Sequence, residues 1–237
     1  MVVCRPSSVV HHQNKQTMNK LVKFFLPFLF FIAVFSLATA QPFSAEIAAF
    51  KKQDSISFPP QHAILFVGSS SFAFWKDVQD YFPGYTIINR GFGGSSLPDA
   101  IRYVNDIIVQ YHPKQIVIYC GENDLAASDT VTPKDVLERF KTLFQLIREK
   151  LPRVSIAYIS IKPSPSRERL SEKMIQANKS IKNFLSKQKE TAYIDVYTKM
   201  LGKDHKARPE LFISDRLHMN KTGYVIWQKA IRPYLKK

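Results

Sequence analysis

The sequence predicts an α/β protein whose five-stranded parallel sheet carries helices on both faces. Three observations lead there. Short runs rich in β-branched residues recur along the chain. Helical apolar stripes alternate with those runs, which is the order of a parallel sheet with crossover helices. Neither a linker nor a fixed-period repeat divides the 237 residues, which fits one domain and excludes a solenoid or propeller. At 45% hydrophobic residues the chain has enough apolar material for a core, so a disordered chain is excluded.

Residues 1–40 read as an address. Lys20 and Lys23 precede the apolar run 24–40, and Ala38-Thr39-Ala40 closes it before Gln41. A basic start, a short apolar run and an A-x-A end make a secretory signal peptide, with Met18 its natural start. The competing reading is an uncleaved anchor, but the run is short for a span and contains Pro27. The mature chain is therefore expected to be secreted or periplasmic, with no stable membrane span. Cleavage removes Arg5, Lys15, Lys20 and Lys23 and no acid, so the net charge falls from +15 to +11. It also leaves Cys120 as the single cysteine, which excludes an internal disulfide and a cysteine-rich metal site. The lysines are scattered rather than interleaved with aromatics, which argues against a nucleic-acid groove.

The strands are expected at residues 63–67, 86–88, 116–120, 155–159 and 192–196. Each is a short apolar run of the kind buried on both faces. Ser96-Leu97-Pro98-Asp99 is a capping-box start for a helix carrying Ile101, Val104, Ile108 and Tyr111. Thr132-Pro133-Lys134-Asp135 opens a second helix, with Val136, Phe140, Leu143, Phe144 and Ile147 on one stripe. Leu170, Met174, Ile181 and Phe184 mark a third. Asn220 caps a last one, with Tyr224, Trp227 and Ile231 inward. These stripes are core.

Polar residues gather where ligands bind in such sheets, beyond the carboxyl ends of the strands. Gly68-Ser69-Ser70-Ser71 follows the first strand. Gly91-Phe92-Gly93-Gly94 follows the second and Gly121-Glu122-Asn123-Asp124 the third. Asp215-Arg216-Leu217-His218 precedes the last helix. A serine hydroxyl becomes a nucleophile only when a base takes its proton. His218 is the candidate base, and Asp215, three residues earlier, can accept its Nδ1 proton and leave Nε2 for the serine. Alone, a D-x-x-H pattern is a surface turn, a glycine a tight turn, and an asparagine after a strand an Asx turn. His62, His112 and His205 lack such an acid and read as surface residues. Gly91-Phe92-Gly93-Gly94 lacks the spacing and the lysine of a phosphate loop. His218 lacks the further His or Cys partners of a zinc site. No metal or organic cofactor is expected.

Taken together the four clusters resemble the sequence blocks of the SGNH hydrolases, also called GDSL-type lipases and esterases. Phe66-Val67-Gly68-Ser69-Ser70-Ser71 is similar to the first block, and the resemblance places Ser70 at the nucleophile. Asn89-Arg90-Gly91-Phe92-Gly93-Gly94 places Gly94 at the oxyanion glycine. Gly121-Glu122-Asn123-Asp124 places Asn123 at the oxyanion asparagine, and Asp215 and His218 complete a triad. Ser69 stands where the family usually has Asp. Residues 159–165 also resemble a bacterial lysophospholipase-like branch. The resemblance implies a flavodoxin-like three-layer α/β/α sandwich over residues 61–237, behind a lead-in at 41–60. It implies ester hydrolysis through an acyl-enzyme, on a small-molecule or glycan ester.

Short acyl groups, acetyl above all, are expected, because no long apolar insertion is present to build a lid. Lys162, Arg167 and Arg169 are expected on the rim of the site, where they suit an anionic or polyhydroxylated leaving group. The lysophospholipase or thioesterase-like reading remains open beside it. So do an acyltransferase, in which a carbohydrate hydroxyl replaces water, and a non-catalytic binding protein using the same crevice.

Overall fold

The computed structural model of the chain describes residues 1–3 and 41–237. The leader, its start at Met18 and its cleavage after Ala40 lie outside the described residues. Five parallel strands form one sheet in the order β2-β1-β3-β4-β5. They are β1 (Ile64–Gly68), β2 (Ile87–Gly91), β3 (Gln115–Tyr119), β4 (Ser155–Ile159) and β5 (Thr191–Ile194). β1, β3 and β4 are buried at every residue, as the unbroken apolar runs require. Among the described residues nine α-helices accompany them: α1 (Ser44–Ile56), α2 (Ser70–Ala73), α3 (Val78–Tyr81), α4 (Leu97–Arg102), α5 (Val104–Ile107), α6 (Glu122–Ala127), α7 (Pro133–Lys150), α8 (Ser171–Leu185) and α9 (Lys221–Ile231).

Two apolar layers flank the sheet. One joins Leu65, Val67, Ile116 and Ile118 to Leu97, Phe140, Ile147 and Ile181, from α4, α7 and α8. The other joins Ile64, Phe66, Val117 and Tyr119 to Phe72, Trp75, Trp227 and Ile231. Alternate residues of each strand thus point to opposite layers, which is the three-layer α/β/α sandwich. The capping box at Thr132 and Asp135 starts α7 as expected, and the Asn220 side chain accepts from the Thr222 and Gly223 N–H groups at the start of α9.

Three elements differ from the sequence reading. β2 runs on to Gly91, because Asn89, Arg90 and Gly91 pair in register with Phe66, Val67 and Gly68. Arg90 is buried there by an ion pair to Asp54 and a hydrogen bond from its Nε to Tyr111 Oη at 2.6 Å. The helix expected after Ser96 breaks into α4, α5 and a 3₁₀ turn at Val109–Tyr111, because Tyr103 and Ile108 leave helical geometry. The lead-in contains α1, which packs Ile47 into the first layer and supplies Asp54 to Arg90.

Candidate active site

Ser70 begins α2 immediately beyond β1. The chain can turn there because Gly68 has no side chain: a Cβ on it would stand 1.8 Å from the Tyr119 carbonyl oxygen. Asn89 Nδ2 holds the Phe72 carbonyl at 2.8 Å, and Tyr224 Oη holds that of Ser71 at 3.0 Å. Ser69 is buried, and its carbonyl accepts from the Phe72 and Ala73 N–H groups. Backbone bonds therefore secure this turn at the position where the usual acid is replaced.

His218 and Asp215 share one tight turn. Asp215 Oδ1 accepts from the Leu217 and His218 N–H groups, both at 2.9 Å, while Oδ2 lies 2.5 Å from His218 Nδ1. Arg216 takes a left-handed φ of 58° to allow this return. His218 Nε2 lies 3.0 Å from Ser70 Oγ. With Nδ1–H donated to the carboxylate, Nε2 is free to accept the serine proton. Burial pushes the Asp215 carboxyl up, but the bonds from the His218 ring and the two N–H groups outweigh it and hold the carboxyl down at about 2. The Phe74 ring, 53% exposed, stands edge-on to the His218 ring with centroids 4.5 Å apart.

Gly94 and Asn123 follow β2 and β3, the strands that flank β1 in the sheet. Gly94 has φ 81° in an exposed turn. Among the described residues neither its N–H nor that of Ser70 meets an acceptor. Asn123 Nδ2 donates to the Ser95 carbonyl at 2.9 Å, and its Oδ1 accepts from Arg167 Nη2 at 3.0 Å. These partners fix which end of the amide is which, and they leave one Nδ2 proton uncommitted.

The structure thus brings Ser70, His218 and Asp215 into one hydrogen-bonded line, and it sets Asn123 against Ser95, the residue after Gly94. His62, His112 and His205 are exposed, as expected. The basic rim is corrected. Lys162 is buried and ion-paired to Glu122 at 3.0 Å. Arg167 spans Glu122 and Asn123, and Arg169 pairs with Asp129 at 2.6 Å. None of the three is a free cation at the rim. Burial pushes both Glu122 and Lys162 toward neutrality. The two cations beside Glu122 more than reverse this, so its carboxyl is held below the ordinary carboxylate range, whereas Lys162 stays lowered. Tyr119 Oη also donates to Glu122. Asp124, next to Asn123, is wholly buried and ties the start of α4 to α7 through Leu97 N–H and Arg139. Glu122, Lys162 and Arg167 support the site but were not singled out for that role by sequence. The one available signal was a lysine close behind the apolar β4, after Ser160 and Ile161.

A three-layer α/β fold that lines up Ser, His and Asp beyond its strand ends has the constellation of a serine hydrolase. The chain belongs to the GDSL-like lipase/acylhydrolase family, whose profile matches residues 54–226, more than half of its length. It is thereby a carboxylic-ester hydrolase. Among solved structures it is similar to a protein of Streptococcus pneumonia described provisionally as a platelet activating factor. That match has 20% identity and a TM-score of 0.72, covering 94% of this chain and 100% of the other. It is also similar to a GDSL-like lipase of Bacteroides thetaiotaomicron, with 18% identity and a TM-score of 0.69, covering 80% and 97%. An acetyl-xylooligosaccharide esterase of Geobacillus, studied as a mutant, has 16% identity and a TM-score of 0.59, covering 74% and 95%. At these identities the likeness is one of fold. No curated protein matches the chain.

Proposed function

We propose that this chain is a secreted serine esterase that removes short acyl groups, acetyl above all, from carbohydrates or similar small alcohols. The observation that carries the catalytic part is the continuous line from Ser70 Oγ through His218 to Asp215. Ser70 attacks the acyl carbon as His218 Nε2 takes its proton, and Asp215 steadies the imidazolium. The Ser70 and Gly94 N–H groups and the uncommitted Asn123 N–H receive the developing oxyanion. His218 then protonates the leaving alcohol and activates water to free the enzyme.

The substrate reading rests on what surrounds that line. The three cations after β4 are committed to Glu122, Asn123 and Asp129, so that segment presents no uncommitted cation for a phosphate-bearing leaving group, and a neutral polyol needs none. The exposed Phe74 ring beside His218 offers the leaving alcohol a flat apolar surface suited to a sugar ring. Two cavities among the described residues, about 380 and 430 Å³, are lined by neither Ser70 nor His218, so neither serves as an acyl channel at the serine. A similar fold serves the Geobacillus acetyl-xylooligosaccharide esterase. Secretion rests on the leader pattern in residues 1–40, and a mature N-terminus at Gln41 tests it. Acetate release from acetylated xylo-oligosaccharides, measured beside fatty-acid release from a lysophospholipid, tests the substrate. Faster turnover of the lysophospholipid refutes the short-acyl reading, and acetyl transfer to an added sugar would reassign the chain as a transferase.

A further inference from the structure

We infer that Tyr224, in the helix that follows His218, is a positioning residue that sets the distance between the Ser70 hydroxyl and the His218 ring. The inference rests on the esterase reading above and concerns how its nucleophile and base are held together.

Ser70 and His218 stand 148 positions apart in the chain, yet Oγ and Nε2 lie 3.0 Å apart. Ser70 opens α2, a helix of only four residues. That helix does not propagate. The Phe74 N–H bonds to the Ser70 carbonyl at 2.9 Å, but the Trp75 N–H turns back to Phe72 at 3.0 Å. The Ser71 carbonyl is thus passed over by the N–H that a longer helix would bring to it, and Ser71 is buried. Its partner is Tyr224 Oη, at 3.0 Å.

His218 belongs to a separate piece of the fold that carries Tyr224 with it. The His218 carbonyl accepts from the Ile213 N–H at 2.9 Å, and Met219 pairs with Phe212. Asn220 Nδ2 donates to the Glu210 and Phe212 carbonyls at 2.9 and 3.2 Å, while its Oδ1 caps α9. α9 leaves so close to this hairpin that a Cβ on Gly223 would stand 2.6 Å from the Leu211 carbonyl oxygen. The turn bearing Asp215 and His218 and the first turn of α9 therefore form one unit. Tyr224 sits at that first turn, its ring stacked on Trp75 with centroids 4.7 Å apart.

Apart from the Ser70–His218 pair itself, the Tyr224 bond is the one hydrogen bond among the described residues that joins 211–231 to 69–75. It ends on the residue next to the nucleophile. Phe72 and Trp75 also touch Trp227 edge-on, but such contacts press the two pieces together without the length and direction that a hydrogen bond imposes. A misplacement of about 1 Å in reacting groups can cost about 10²-fold in rate, so this bond bears on the chemistry as well as on the packing.

The experiment measures steady-state hydrolysis of p-nitrophenyl acetate, the rate of fluorophosphonate labelling of Ser70 and thermal melting. It compares wild type, Tyr224→Phe, Gln228→Leu, His218→Ala and the Tyr224→Phe, His218→Ala double variant, with rates taken well below every melting temperature. Gln228 lies on the same helix, and its Nε2 donates to the Tyr81 carbonyl, outside the nucleophile turn. It reports what losing a bond from α9 does by itself. The expected result is that Tyr224→Phe lowers kcat about tenfold, slows labelling by a similar factor and leaves KM within about twofold. The double variant is then no slower than His218→Ala alone, and Gln228→Leu melts lower than wild type but keeps kcat within about twofold. If Tyr224→Phe keeps kcat and labelling within about twofold of wild type, Tyr224 does not set the distance. Full additivity with His218→Ala, or a Gln228→Leu protein slowed as much as Tyr224→Phe, overturns the inference too. If Tyr224→Phe does not fold, Tyr224→Met takes its place, and an unchanged kcat there overturns it equally. A wild-type protein that neither labels nor hydrolyses the ester fails the esterase reading itself. An active wild type with an equally active Tyr224→Phe fails only the Tyr224 assignment.

Discussion

Replacing Arg167 with alanine tests how Asn123, the proposed oxyanion donor, is held. Arg167 Nη2 donates to Asn123 Oδ1 at 3.0 Å and Nη1 lies 3.3 Å from Glu122 Oε1. Asn123 has two anchors, this one and its own bond to the Ser95 carbonyl. Removing one lets the amide swing without deleting it. Loss of a whole oxyanion donor costs about 10²–10³ in kcat, so loss of one of two anchors should cost less, about tenfold, or ~1.4 kcal/mol. Stability should fall only modestly, by about 1 kcal/mol, because Glu122 keeps Lys162 and Tyr119 and the Arg167 side chain is 20% exposed. The assay is steady-state hydrolysis of an acetyl ester by Arg167→Ala, Asn123→Ala and the double variant. If Arg167 is a positioning residue, the double variant is no slower than Asn123→Ala alone. Full additivity of the two losses would show that Arg167 acts on something other than Asn123. A raised KM at unchanged kcat would make it a substrate-binding group instead.

Other outcomes follow from the same geometry. Ser70→Ala should abolish turnover and leave the melting temperature nearly unchanged, while Ser69→Ala should stay active because its backbone carries the local bonds; rates and melts of both variants decide. Asp215, held at about 2, stays ionised at every pH well above that value, so its protonation should put no limb on the wild-type kcat/KM profile near neutrality. Asp215→Asn should be folded but slower by about 10⁴. Glu122→Gln should destabilise by about 3–5 kcal/mol in urea unfolding, because it strands the buried Lys162 ammonium. The Glu122 carboxyl is depressed in the fold, so its stabilisation is present above the ordinary carboxylate range and is lost as pH falls through the lowered value. Glu122→Gln should lack that acid-side loss in the same measurement.

The parts of this fold legible in the sequence are those whose physics is local. β1, β3 and β4 show as unbroken apolar runs because both faces are covered. α7 shows because Thr132 and Asp135 cap a clean stripe. The end of β2 was hidden because Asn89 and Arg90 look like loop residues until Asp54, 36 positions earlier, is seen to neutralise the arginine. α1 was hidden for a similar reason. Ile47 is its one fully buried residue, so no apolar stripe announces it, and what holds it is the long-range pairing of Asp54.

The active site divides in the same way. Ser70, Asp215 and His218 were legible because the chemistry demands those residue types, and the strand ends leave few places for them. Their supporting shell was not, because a sequence displays charges without their partners. Lys162 and Glu122 are 40 positions apart, and each alone reads as a solvated ion. Paired inside the protein, they turn an apparent basic rim into an ion-paired scaffold that reaches Asn123 through Arg167. The Ser166 N–H bond to the Arg216 carbonyl, at 3.1 Å, joins that scaffold to the turn carrying Asp215 and His218. One short segment after β4 therefore braces both the proposed oxyanion donor, Asn123, and the turn that carries the proposed base, His218. The cations in it are committed to that geometry, and recognition of the leaving group falls to the exposed surfaces left beside His218.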